Sequence, residues 1–142
     1  MNEVSTDKLE NELSEVSDIN DYLKKNSEFF VSVKLSDHLN KLLGAKNMTV
    51  ADIVTASGLN KGYVYQIFEG SKDKPSRDKL LAIALAMKLE YGDIQKLLKI
   101  ACMRSLYVRD ERDAMIIFAV KRHYTASDTN IMLHDHGFKA LE

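Results

Sequence analysis

Lys61, Gly62, Tyr65 and Gln66 fall at helical spacing on a short segment whose remaining positions are apolar or capping residues. A lysine can pair with guanine and a glutamine with adenine in the roughly 12 Å major groove of DNA, so these four read as base contacts. Gly62 fits this use because a residue without a side chain lets a backbone come close; in a helix it costs about 1 kcal/mol against alanine. A second set, Lys72, Lys74, Arg77 and Lys79, follows within twenty residues and reads as phosphate clamps, interrupted by Asp73 and Asp78. Thr49 and Asn60, at the starts of two helices, join the expected phosphate contacts. Tyr63 reads as a motif-stabilising core edge.

Other reactive types form no comparable pattern. His134 and His136 are two apart, hence on different sides of a helix, and no further ligand stands near them in sequence, so no metal is expected. Cys102 has no base to pair with and reads as a small buried hydrophobe. The Glu111-Arg112-Asp113 run reads as a solvated, capped helix start. With no phosphate-binding glycine loop and no nucleophile elbow, neither an enzyme nor a cofactor is expected.

The elements that would position these residues are helical. The chain has 142 residues with one proline, six glycines and no tryptophan, and 45% of it is apolar. That composition favours an all-α fold. In the acidic head, Leu9, Leu13, Val16 and Leu23 give one or two amphipathic helices, the second capped by Ser17-Asp18. Leu35, Leu39, Leu42 and Leu43 form one face of a helix capped by Ser36 or a neighbour. Thr49 and Asp52 stand in capping-box position before Ile53, Val54 and Ala56, and Gly58 closes that helix. Asn60 caps the next, with Val64, Ile67 and Phe68 inside. Ser76 caps the apolar run Leu80–Leu89, and Ile94, Leu97, Leu98 and Ala101 mark a further stripe. Asp110 caps a helix through Tyr124 that is apolar all round at Met115–Val120. It is expected to be covered either by Met1–Phe30 or by a second chain. A final helix spans Ser127 to His136 and ends at Gly137.

Charge is unevenly spread. Residues 1–30 carry eight acids and three bases, residues 31–100 seven acids and eleven bases, and the remainder six of each, for a total of −1. A basic middle favours a nucleic-acid face there. The polar, acidic N-terminus is no signal peptide, and Leu80–Met87 is too short to span a membrane, so a reducing, cytoplasmic setting is expected.

The segment Thr49–Gly70, followed by Lys74-Pro75-Ser76 and Leu80-Leu81-Ala82-Ile83-Ala84, resembles the XRE-type, lambda-repressor-like helix-turn-helix family. The resemblance implies five helices, about 35–46, 49–57, 60–68, 76–89 and 92–103, with 60–68 as the reading helix. Two positions depart from the family: Val50 stands where a phosphate-touching glutamine is common, and Val54 where alanine is usual. Leu106-Tyr107, Arg112-Asp113 and Asn130 with Leu133 resemble extensions on small members of this class and imply a helical annex. The organisation expected is an acidic helical head (1–33), a five-helix DNA-binding domain (34–103) and a helical C-terminal extension (104–142) for dimerisation or core support. A sequence-specific regulator of transcription is the leading reading, acting on double-stranded DNA as a homodimer. A protein partner would use the acidic head or the C-terminal helices. The rival reading is a protein–protein adaptor that keeps the fold without a DNA role, favoured by the near-neutral total, the acidic head and Val50. A third is a repressor whose tail forms a pocket for a peptide or small ligand.

Overall fold

The computed structural model describes residues 5–25 and 34–142, and all regular structure among them is helical. The chain forms two compact units, Met1–Ser32 and Val33–Glu142. The first holds α1 (Thr6–Glu15) and α2 (Ile19–Lys25), with Ser5 capping α1 and Lys25 paired to Glu12 at 3.0 Å. Asp18 Oδ1 accepts the Asn20 N–H at the start of α2. Tyr22 is its buried apolar residue; Leu13 and Leu23, expected on an inner face, are exposed.

The second unit contains α3 (Leu35–Ala45), α4 (Val50–Ser57), α5 (Lys61–Glu69), α6 (Arg77–Ala86), α7 (Tyr91–Ile100), α8 (Glu111–Lys121) and α9 (Ala126–Asp135). Helix α6 runs through the centre, with every residue from Leu80 to Ala86 buried. Such an all-round apolar helix is stable only when neighbours cover each side. Helices α4, α7 and α9 pack on it, and the same core takes in Leu106, Ile116, Ile117, Val120, Leu133 and Leu141. No boundary separates 34–103 from 104–142 in this unit.

Helix α8 therefore needs no second chain to hide its apolar residues. Ile116, Ile117, Ala119 and Val120 are buried within their own unit, and Phe118 is the exposed one, edge-on to Tyr124 at 5.8 Å. The expected cover from Met1–Phe30 lies partly outside the described residues. Three smaller expectations also change. Ser36 lies inside α3, whose N-cap Lys34 makes no side-chain cap bond. Ser57, not Ala56, faces inward from α4, because its hydroxyl accepts the Leu59 N–H across the turn. Cys102 is exposed.

The helix ends explain that last change. After α3, α6, α7 and α8 the chain turns through a left-handed residue that is not glycine: Asn47, Lys88, Cys102 and His123. Each N–H bonds back to a carbonyl three residues earlier, and the next N–H reaches five back, as in Met103 N–H to Leu98 O at 2.9 Å. This double closure is the Schellman motif. It turns the Cys102 side chain to solvent, and Gly137 makes the same closure after α9. Helices α6, α7 and α8 thus stop at Ala86, Ile100 and Lys121, each three residues before its expected end at 89, 103 or 124.

Candidate nucleic-acid interface

Both helices of the central pair begin on strong caps. Thr49 Oγ1 accepts the Asp52 N–H at 3.2 Å while Asp52 Oδ2 accepts the Thr49 N–H at 2.8 Å, a reciprocal capping box. Asn60 Oδ1 accepts the Tyr63 N–H at 3.1 Å. Between them Gly58 adopts φ +71°, a left-handed turn that glycine enters without penalty. Ile53, Leu59, Val64, Ile67 and Phe68 are buried beneath, so α5 can present only its other face.

That outer face carries Lys61, Gly62 and Gln66, all exposed, with Tyr65 half-buried beside them. Lys61 Nζ stands 5.8 Å from the Tyr65 ring centre, a weak cation–π contact that biases the ammonium along the helix surface. The four expected base-reading residues therefore share one solvent-facing strip. The end of α5 is fixed from below: Asn40 of α3 donates to Phe68 O at 2.8 Å, and Gly70 turns at φ +87° with Ser36 Oγ 3.0 Å from where a Cβ would stand. Neither contact has a local signal in the sequence, since each partner lies about thirty residues away.

The loop after α5 folds back on the helix. Lys72 N–H and Ser71 Oγ both donate to Gln66 O, and Ser76 N–H donates to the Tyr63 hydroxyl at 3.2 Å. Lys72 Nζ and Lys79 Nζ lie 5.0 and 4.4 Å from the Tyr63 ring centre. Tyr63 thus serves as the core edge that gathers two cations next to the exposed strip of α5. Lys74 is exposed on the same loop.

Arg77 is not available as a phosphate clamp. Its Nη1 and Nη2 donate to Asp113 Oδ1 and Oδ2 at 3.0 and 2.9 Å, its Nε to Arg104 O at 3.0 Å, and Nη2 also to Ser105 O at 3.1 Å. The Asp113 side chain is only 1% exposed and that of Arg77 17%. A guanidinium with these donors engaged is a structural ion, so the expectation for Arg77 is corrected, and with it the solvated reading of Asp113. Burial pushes the Asp113 carboxyl up, but hydrogen bonds from Arg77 and the Tyr107 N–H, with the charges of Arg77 and Arg104, outweigh it and hold it below the ordinary carboxylate value. A second pair runs the other way across the same two helices: Arg112 of α8 donates to both oxygens of Asp78 at 2.8 and 3.1 Å.

The two expected phosphate contacts at helix starts differ in what they can offer. The Thr49 N–H is taken by Asp52, whose carboxylate places negative charge at the start of α4, where a phosphate would otherwise gain from the helix dipole. Asn60 is exposed, and its side-chain oxygen is engaged in the cap.

Residues 38–99, which contain α4, α5, α6 and the loop between the last two, match the family of the Cro/C1-type HTH DNA-binding domain. No curated protein and no solved structure matches the chain. Among the described residues, no helix is long and apolar enough to cross a membrane.

Proposed function

We propose that this chain, whose residues 38–99 match the family of Cro/C1-type HTH DNA-binding domains, is a sequence-specific regulator of transcription that reads an operator with α5 in the major groove. The observation that carries this reading is the strip of Lys61, Gly62, Tyr65 and Gln66 on α5, bordered by Lys72, Lys74 and Lys79. Lys61 and Gln66 supply hydrogen bonds to base edges, and the three lysines hold phosphates. Thr49 and Asn60 add weaker polar contacts at the helix starts, Thr49 through its hydroxyl alone.

A single module with so few phosphate contacts binds weakly at physiological salt, so the protein acts as a homodimer on two half-sites about one helical turn apart. Selection of bound fragments from random duplex DNA tests both points. The expected product is a paired, inverted sequence; a set with no common sequence would instead favour the adaptor reading. On the selected duplex, Lys61→Ala and Gln66→Ala each weaken binding by about 1–3 kcal/mol and relax one base position. Lys74→Ala weakens binding to all sequences and makes the salt dependence shallower by about 0.9 in slope. Titrations in which all three variants equal the parent would end the DNA reading.

A further inference from the structure

Outside the matched segment, the chain between α7 and α8 is pinned at successive residues by side chains reaching in from other elements. Arg104 O and Ser105 O accept from Arg77; Leu106 exchanges two hydrogen bonds with the Gln95 side chain, at 2.8 and 2.9 Å. The Tyr107 N–H donates to Asp113 Oδ2 at 3.1 Å, and Leu106 itself is buried in the core. Yet the side chains this loop displays are left to solvent: Arg104 is 64% exposed, Tyr107 54% and Val108 65%, with Arg109 exposed beside them. A loop fixed in its backbone and open in its side chains is already ordered for binding and loses little entropy when it meets a ligand.

Its position and charge indicate which ligand. The anchor Arg77 follows Ser76, whose N–H is bonded to Tyr63 of the reading helix, and Met103, the residue before Arg104, lines one cleft with Lys74, so the loop begins beside the lysines that border the strip. Residues 103–109 contain two arginines and no acid. Asp113 is held by Arg77, and Arg104 makes only a long pair with it, at 3.7 Å. Asp110 is engaged in capping α8. Arg109 and the largely exposed Arg104, which is tied only by its long pair to Asp113, flank an exposed tyrosine and suit the sugar–phosphate backbone of DNA. We infer that the Arg104–Arg109 loop is an accessory DNA-backbone contact, which extends the interface beyond the helix-turn-helix to the duplex flanking the half-site. The inference rests on the DNA reading proposed above.

The test compares the full-length parent with Arg104→Ala/Arg109→Ala on two duplexes, one trimmed to the selected site and one extended by about ten base pairs on each flank. Both side chains are exposed, and Arg104→Ala keeps the backbone oxygen that Arg77 uses and the Arg77–Asp113 pair, so the variant stays folded at the assay temperature, which its melting curve checks. On the extended duplex the double variant binds more weakly, with a salt slope shallower by about 1.8 for two lost contacts. On the trimmed duplex it equals the parent, and its base preference is unchanged on both. Equal affinity and slope on the extended duplex would overturn the inference. So would a loss of the same size on both duplexes, which would mark a general charge effect. The reading on which it rests fails separately: in that case the parent itself binds neither duplex, or binds both without preference for the selected sequence.

Discussion

A Cβ at position 62 would stand 3.2 Å from Asn60 Oδ1, the oxygen that holds the Tyr63 N–H. The glycine therefore has a reason internal to the helix start: it leaves room for the cap. Asn60→Ala removes the cap and costs about 1 kcal/mol. Gly62→Ala alone gains less than the roughly 1 kcal/mol that helix propensity offers, because the added methyl displaces the asparagine. With Asn60 already replaced, the same change delivers the full gain. Urea unfolding of the two single variants and the double variant measures this coupling, and strict additivity would refute it. The same scale shows where sequence reading stopped. Lys72 and Arg77 look equivalent in a basic run, and only a carboxylate 36 positions further on separates a surface cation from a structural one. By contrast, Thr49, Asp52, Gly58 and Asn60 were legible as caps and turn because their partners lie within three residues.

Helices α6 and α8 are joined by two ion pairs of opposite direction, Arg77 to Asp113 and Asp78 to Arg112. Removing one partner of a buried pair leaves the other charge uncompensated, so Asp113→Asn costs about 3 kcal/mol; the partial exposure of Arg77 keeps it at the low end of the usual range. The pair also has a pH signature. The Asp113 carboxyl lies below its ordinary value in the folded chain, so the unfolded chain binds this proton first as pH falls. The stabilisation is complete above about pH 5 and is lost as the pH drops through the unfolded and then the folded value. Unfolding midpoints between about pH 2 and pH 6 should therefore fall more steeply for the parent than for Asp113→Asn. Parallel curves would show that Asp113 contributes no proton linkage. At this scale the helix order and the inner faces of α3 and of α5 to α7 could be read from apolar spacing, while the inner faces of the acidic head and the ends of α6, α7 and α8 could not. Their closures use Lys88, Cys102 and His123, residue types that carry no stop signal. The helix closed by Gly137 ended where glycine marked it.

Over the whole chain, 21 acids nearly balance 20 bases, and the acids are concentrated in residues 1–30. The segment that matches the helix-turn-helix family thus keeps a basic character that the total conceals. Of the two roles expected for the C-terminal extension, core support has packing behind it: Leu106, Ile116 and Leu133 lie in the same core as Leu80 and Ile94. Contacts between residues so far apart leave no trace in local periodicity. The four helix closures built on Asn47, Lys88, Cys102 and His123 bear on how the molecule could change. Each of these side chains is exposed and none lies on α5. Glycine at Lys88, Cys102 and His123 relieves about 1 kcal/mol per site, with less at Asn47 because asparagine tolerates the left-handed turn. The sites are independent, so the triple variant should gain about 3 kcal/mol and melt on the order of 10 °C higher. A melting temperature equal to the parent's would refute this. The fold thus holds an unused reserve of thermal robustness at its helix ends, away from the exposed strip of α5, and that reserve can absorb destabilising substitutions on this helix.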